Sequence, residues 1–301
     1  MKQTIILLLA LVALASCSQS ENEDIQSGSN VPVTLSAGMP TAIIRPDSRA
    51  VIETGNQFTA GVAGWETTGQ VNYSSRRTWY TTAEIEASPS EKPVTLKEPQ
   101  VYHADNAIKT HMKAWCPAGE PTTEGKVAFL NTDGSVDALL AGEVVGSKND
   151  HTGKVLQFKH KTTQLKFKVV AEASLEAGTT LKEITVLGAE LPTGFDLAAD
   201  ALTYAAAGAL TVSGITDQEI TGTATEAGQP VMIKPMTGNK VHLKIQTSAA
   251  TFDDVVATID NDGNFLEGKA YTITLTFRQQ AVGLTATVDE WISGSGSAEI
   301  E

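Results

Sequence analysis

Cys17 is the residue whose type and position most clearly predict chemistry. It directly follows the Leu-Ala-Ser sequence of residues 14–16, at the end of an apolar stretch that begins at Ile5 and comes after the basic Lys2. A positive start, an apolar segment of about ten residues and small residues at its end are typical of a secretory signal peptide, and such a segment is too short to span a bilayer. A thiol placed directly after it predicts covalent attachment of a lipid.

The order Leu-small-small-Cys resembles the bacterial lipobox, in which the cysteine is acylated and becomes the new N-terminus. The resemblance implies a lipoprotein signal peptide at residues 1–16 and a mature chain of 301 − 16 = 285 residues. A lipid such as palmitate on Cys17 would hold that chain on the outer membrane at the cell surface, since each buried methylene contributes about 0.8 kcal/mol to attachment. We expect no other cofactor. The alternative is an ordinary secretory signal with an incidental cysteine.

Charge and cysteine content exclude two further classes. The net charge is 22 − 35 = −13, so nucleic acid is not an expected partner, because phosphate binding requires a basic patch. With Cys17 lipidated, Cys116 is the only remaining cysteine, and no intrachain disulfide can form. Cys116 follows the apolar Trp115 and Ala114, which predicts a small buried side chain rather than a catalytic thiol.

The other polar side chains form no pattern typical of an active site or a metal site. The histidines show neither HxH nor HExxH spacing and none stands near a cysteine at ligand spacing: His103, His111, His151, His160 and His242. Adjacent carboxylates, as at Asp253-Asp254, point to opposite faces of a strand and cannot share one substrate. The sequence therefore predicts a non-enzymatic protein without catalytic residues and without a metal.

Apolar and polar residues alternate along much of the chain, a period of two that predicts half-buried β-strands. The pattern is clearest in five stretches: 31–39, 165–169, 241–246, 271–277 and 282–288. Turns rich in Gly, Asn and Asp separate the apolar stretches. We expect a flexible tether at residues 17–30, followed by two β-sandwich domains at residues 31–155 and 156–301.

Several segments together resemble the fimbrillin family, whose members are subunits of Bacteroidales type V pili and related lipoproteins. The resemblance covers nearly the whole mature chain and rests on the order and spacing of its motifs. They are the lipobox, the strand at 33–37 with the Ser-Arg-Ala of 48–50, the run at 111–117, the Phe-Lys-His of 158–160 before 165–167, and the strands at 271–275 and 282–288 before Glu290-Trp291. This resemblance implies an all-β fold of two transthyretin-like antiparallel β-sandwich domains in tandem.

The resemblance also implies a mechanism of polymerisation. In the family, a protease cuts after an arginine that follows the first strand, this strand leaves, and the C-terminal strand of a neighbour fills the groove. Here the bond would be Arg49–Ala50. The leaving strand would carry Val31, Val33, Leu35 and Ala37, and the donor strand Val282, Leu284, Ala286 and Val288. The implied partners are other pilus subunits, bound by β-strand addition, and a host protein or glycan receptor.

A second class of function stays open, a stand-alone outer-membrane surface lipoprotein that binds a glycan or a host ligand. It would require an exposed aromatic platform, for which Trp65, Trp79 and Tyr80 are the candidates. Arg49 would then be a solvated loop residue, and the first strand would stay in place. The position of a pilus subunit, in the shaft, at the tip or at the anchor, does not follow from these motifs.

Overall fold

A computed structural model of the chain describes residues 30–39, 52–259, 263–279 and 281–290. All regular secondary structure in these ranges is β-strand, which confirms the all-β prediction. No helix in the same ranges is long and apolar enough to cross a membrane. Cys17, Arg49 and Ala50 lie outside the described ranges.

The first half of the chain forms an eight-stranded sheet in the order β2-β3-β4-β1-β9-β7-β5-β8. Because β2 also pairs with β5, the path closes into a ring, and β8 lies outside it on β5. We call this part the N-terminal unit. Its strands, with β6 in chain order, are β1 (Leu35–Gly38), β2 (Gln57–Thr67), β3 (Trp79–Glu86), β4 (Lys92–Leu96), β5 (Lys109–Cys116), β6 (Lys126–Ala128), β7 (Leu139–Ala141), β8 (Val144–Gly146) and β9 (Val155–His160).

The second half forms two facing sheets, β16-β10-β22-β23 with β17 on β10, and β14-β11-β19-β20 with β15 on β11. We call this part the C-terminal unit. The strands of this half are β10 (Thr163–Ala171), β11 (Thr180–Ala189), β12 (Pro192–Asp196), β13 (Ala201–Tyr204), β14 (Gly208–Thr211), β15 (Gln218–Glu219), β16 (Thr225–Glu226), β17 (Val231–Ile233), β18 (Met236–Thr237), β19 (Lys240–Thr247), β20 (Thr251–Thr258), β21 (Asn264–Phe265), β22 (Lys269–Arg278) and β23 (Ala281–Glu290).

Four of the alternating stretches lie within strands, and the fifth, at 31–39, contains β1 at Leu35–Gly38. In β22, Tyr271, Ile273, Leu275 and Phe277 are buried in the core of the C-terminal unit. This is the arrangement that a period of two produces when one face of a sheet is covered. Not every pairing is antiparallel, however, since β1 runs parallel to β9 and β10 runs parallel to β22.

The pairing partners of the strands change between β9 and β10, close to the expected boundary at residues 155 and 156. Strand β9 begins at Val155 and pairs with β1 and β7 of the N-terminal unit. The next strand, β10, begins at Thr163 and pairs with β22 and β17 of the C-terminal unit. The division therefore falls between His160 and Thr163, because β9 completes the first sheet before the chain crosses over.

A three-stranded sheet, β13-β12-β6, joins the units, since β6 comes from the first half and β12 and β13 from the second. We call it the junction sheet. Phe195 pairs with Val127 in its register, and both belong to a separate core cluster that also buries Trp65 and Trp115. Those two tryptophans lie on β2 and β5, so the junction sheet packs against the N-terminal unit.

Candidate strand-exchange site

The N-terminal strand carries an apolar face that lies entirely in the core. Val31 and Val33 are 7% exposed, Leu35 is 4% exposed and Ala37 is fully buried. Met39 continues the alternation and is also buried. All five share one core cluster with residues from the neighbouring strands, among them Phe58, Leu156 and Phe158. The burial follows from their spacing, because every second residue of a strand points to the same side.

Strand β1 lies between two partners rather than at an edge. On one side Leu35 pairs antiparallel with Val94 of β4, and on the other Ala37 pairs in parallel with Leu156 of β9. Removal of β1 would therefore leave two unpaired edges, those of β4 and β9, and unpaired edges are sites where another strand adds.

Hydrogen bonds extend this pairing beyond β1 in both directions. Tyr102 N donates to Val31 O at 2.9 Å, and Val33 N donates to Gln100 O at 2.8 Å. At the far end, Met39 N donates to Ser88 O at 2.8 Å. Opposite Ser36 stands Pro93, which has no N–H to donate. The whole segment from Val31 to Met39 thus behaves as one inserted strand.

Apolar burial is the main contribution of this strand to stability. Burying a large apolar side chain contributes about 1.5–3 kcal/mol, so Val31, Val33, Leu35 and Met39 together contribute about 6–12 kcal/mol before entropy. A replacement strand with the same alternation would restore both the apolar contacts and the backbone hydrogen bonds.

Among the described strands, β23 lies at the edge of its sheet and pairs with β22 alone. It pairs antiparallel with β22 over its full length, from Ala281 opposite Arg278 to Glu290 opposite Lys269. Val282 is partly buried against the core of the C-terminal unit. The side chains of Leu284, Ala286 and Val288 lie outside the described part of the chain. An edge strand is the kind of element that can leave a sheet without unpairing a second neighbour.

A buried pair of side chains, Asp137 and His160, which the sequence did not predict, holds the chain at Ile52. The Asp137 side chain is 1% exposed, and its Oδ1 lies 2.8 Å from His160 Nδ1. Its Oδ2 accepts a hydrogen bond from Ile52 N at 2.9 Å. The sequence did offer one signal, since Asp137 directly precedes the apolar residues 138–141.

The aromatic residues proposed for a glycan platform are used in packing. Trp65 is 3% exposed, and its Nε1 donates to Ser75 O at 3.1 Å. Trp79 packs against the core of the N-terminal unit, while Tyr80 stacks on Trp115 with ring centroids 6.0 Å apart. Because consecutive residues of β3 point to opposite faces, Trp79 and Tyr80 cannot belong to one surface. Trp65 is therefore not part of an exposed platform, and Trp79 and Tyr80, each half-buried, lie on opposite faces of β3.

Three histidines contact one carboxylate each. His111 Nδ1 lies 2.6 Å from Glu143 Oε1, His160 contacts Asp137, and His242 Nδ1 lies 2.7 Å from Asp254 Oδ1. Within the described ranges, no group of three or more His, Cys, Asp or Glu side chains could hold a metal ion. Cys116 is buried, and burial, with a smaller effect of Asp137, raises the pKa of its thiol far above the ordinary value.

The fold is similar to that of solved bacterial proteins. A candidate cell adhesion protein from Bacteroides uniformis ATCC 8492 superposes with a TM-score of 0.56 at 16% identity, over 86% of this chain and 99% of that chain. A second, from Bacteroides ovatus ATCC 8483, gives a TM-score of 0.57 at 15% identity, over 89% and 100%. At these sequence identities the likeness establishes the fold alone, which is a β-sandwich fold.

The family follows from the sequence itself. The model of the fimbrillin-like family matches residues 48–291, which is most of the chain. The chain therefore belongs to the fimbrillin-like family, and the resemblance given by the motifs is confirmed. A comparison with curated proteins finds no match.

Proposed function

We propose that the protein is a structural, non-enzymatic subunit of a cell-surface pilus that assembles by strand exchange and mediates adhesion. Membership of the fimbrillin-like family supports the role of pilus subunit and a place in a surface fimbrium. The observation that carries the mechanism is the position of the N-terminal strand, inserted between β4 and β9 with its apolar face buried.

Exchange proceeds in three steps in this proposal. The lipid on Cys17 first holds the subunit on the outer membrane. Cleavage of the Arg49–Ala50 bond then separates the N-terminal strand from the rest of the chain. Finally, the segment around Val282 to Val288 of a neighbour takes the vacated position, with Leu284, Ala286 and Val288 in the places of the apolar residues that left.

The first experiment determines the N-terminus of the protein on cells and after shedding. We expect it at Ala50, together with ladders that resist SDS once the purified chain is cut by an arginine-specific protease. Arg49→Ala should abolish both, whereas the control Arg45→Ala should not, because proline follows Arg45. A chain that still begins at Cys17 and yields only monomers after cutting would contradict the proposal and favour the stand-alone lipoprotein.

The second experiment tests the donor strand with neighbouring positions on opposite faces. Leu284→Lys places a charge on the face that would enter the groove, whereas Thr285→Lys changes an exposed residue. We expect ladders with Thr285→Lys and monomers with Leu284→Lys. Equal assembly of both variants would show that β23 is not the donor.

A further inference from the structure

We infer that the buried pair of Asp137 and His160 is a docking site for the chain that follows the cleaved bond, and that it holds the mature subunit at Ile52 after the N-terminal strand has left. This inference rests on the proposed function. Its ligand is the backbone amide of Ile52, the first described residue after Arg49.

The Asp137 carboxylate is a buried hydrogen-bond acceptor rather than a solvent-exposed charge. Its two oxygens have different partners, since Oδ1 contacts His160 Nδ1 at 2.8 Å and Oδ2 accepts from Ile52 N at 2.9 Å. Both the Asp137 and the His160 side chains are almost completely buried. A buried carboxylate is tolerated only when it is paired and hydrogen-bonded, so the Ile52 amide is part of what keeps Asp137 satisfied.

The docking site lies directly beside the strand that would leave. His160 ends β9, which is the parallel neighbour of β1, and Asp137 stands two residues before β7, which pairs with the other side of β9. Neither Asp137 nor His160 belongs to the N-terminal strand. Departure of β1 therefore leaves the docking site complete, because Asp137, His160 and the Ile52 amide all stay in place.

Separate hydrogen bonds hold the chain before and after the Arg49–Ala50 bond. Met39 N donates to Ser88 O at 2.8 Å, and Gly55 N donates to Ala87 O at 2.8 Å. The two acceptors are consecutive residues. The Ile52 side chain also packs against the core of the N-terminal unit.

The arrangement defines where peeling of the chain stops. Once the Arg49–Ala50 bond is cut, the N-terminal strand can leave and the Met39 hydrogen bond is lost, while the Ile52 and Gly55 contacts stay in place. The docking site thus keeps the chain from Ile52 onward attached to the core of the N-terminal unit.

Amide hydrogen exchange on the cut full-length chain tests this inference. The purified protein is cleaved in vitro with an arginine-specific protease, and cleavage after Arg49 is verified by mass. We expect the Ile52 and Gly55 amides to exchange at least tenfold more slowly than the same residues in an unstructured peptide. Exchange as fast as in the peptide would overturn the inference. Cleavage in vitro makes this outcome independent of whether cells process the bond.

Two variants separate docking from a general structural role of the Asp137–His160 pair. Ile52→Pro removes the N–H donor and replaces the Ile52 side chain by a shorter apolar one, while Asp137 and His160 are unchanged, whereas Ile52→Val keeps the N–H and most of the apolar contact. In the cut chain, we expect the Gly55 amide to exchange at least tenfold faster with Ile52→Pro and at the wild-type rate with Ile52→Val. Equal protection of Gly55 in both variants would show that the Ile52 hydrogen bond does not hold the segment.

Asp137→Asn provides a third measurement at the acceptor. An amide offers one acceptor oxygen where the carboxylate offers two, so we expect faster exchange of the Ile52 amide in the cut chain while core amides of β22 keep their wild-type rates. Uniformly faster exchange across β22 as well would indicate a loss of global stability, and would contradict a local role of Asp137 in holding Ile52.

Discussion

Lys113 and Asp200 connect the two units through a buried ammonium group. Lys113 Nζ lies 2.5 Å from Asp200 Oδ1 and donates to Leu197 O at 2.5 Å. The Lys113 side chain is 1% exposed and its Nζ stands 3.8 Å from the centre of the Tyr73 ring, while Asp200 remains 57% exposed. Lys113 is on β5 of the N-terminal unit, and its acceptors follow β12 in the second half of the chain.

Removal of this ammonium group should weaken the junction. Lys113→Met keeps a long apolar side chain but leaves the Leu197 carbonyl without its donor, so we expect a loss of about 1–3 kcal/mol in the free energy of unfolding. The control is Lys126→Met, which breaks an exposed ion pair with Asp196 and should cost less than about 1 kcal/mol. Urea unfolding measures both. Equal urea midpoints for the two variants would show that the buried contact contributes no more to stability than the exposed ion pair.

Gly194 should not tolerate a side chain, because its neighbour in the junction sheet is backbone. A Cβ at residue 194 would lie 2.0 Å from Val127 O, and a carbonyl oxygen cannot rotate away. We expect Gly194→Ala to disturb the pairing of β6 with β12 and to destabilise the protein by about 1–3 kcal/mol. Gly142→Ala is the matched control, since no atom lies within 4 Å of its added Cβ. Proteolysis at residues 126–128 should accelerate only in Gly194→Ala.

Tyr102 carries a buried hydroxyl without a hydrogen-bond partner among the described residues. Tyr102→Phe removes an unsatisfied polar group and should raise the free energy of unfolding by about 1 kcal/mol. The control is Tyr271→Phe, because the Tyr271 hydroxyl accepts from Leu266 N at 2.8 Å, and its loss should destabilise the protein. Thermal unfolding distinguishes them by opposite shifts, and a lower Tm for Tyr102→Phe would contradict the expectation.

The same hydroxyl predicts a difference at alkaline pH. Burial, with a smaller effect of Asp150, raises the pKa of Tyr102 from 10.0 to about 12. The folded state therefore favours the neutral form, and this contribution is present below pH 10 and is lost as the pH rises toward 12. Between these values, Tyr102→Phe should lose less stability than the wild type. A parallel decline of both proteins would argue against burial of the phenol.

Glu143 predicts the opposite direction at acidic pH. Burial raises the pKa of Glu143, but hydrogen bonds from Tyr73 and His111, with the charges of His111 and Lys113, outweigh it and hold the pKa below the ordinary 4.5. This contribution is present above pH 4.5 and is lost as the pH falls through the lowered value. Glu143→Gln should therefore lose less stability than the wild type as the pH falls, when the free energy of unfolding is measured with urea at a series of acidic pH values. Glu91→Gln, at an exposed position, should show the same pH dependence as the wild type.

The strands could be predicted from the sequence because a period of two is a local property. Tyr271 to Phe277 alternate in the sequence and are buried in the structure as expected. Strand β9 alternates like any other strand, so its pattern does not say which sheet it joins. Pairing across the chain is a property of the whole fold.

The site was predictable to the same extent. The alternation of Val31, Val33 and Leu35 indicated one buried face, but not that β4 and β9 flank the strand. Lys113 stands between apolar neighbours in β5, and a lysine there is ordinarily solvated. Its burial, like the pairing of Asp137 with His160, depends on segments distant in the sequence, so no local pattern could indicate it.

The junction sheet has a mechanical consequence for a subunit that would carry load between neighbours. A pull entering at the groove and leaving through β23 must cross from one unit to the other. The covalent link at residues 161–162 is accompanied there by the β6–β12 ladder and by the Lys113 contact. Tension is therefore shared between the covalent link and these non-covalent contacts, and the subunit should extend as a stiff unit rather than bend at a flexible hinge.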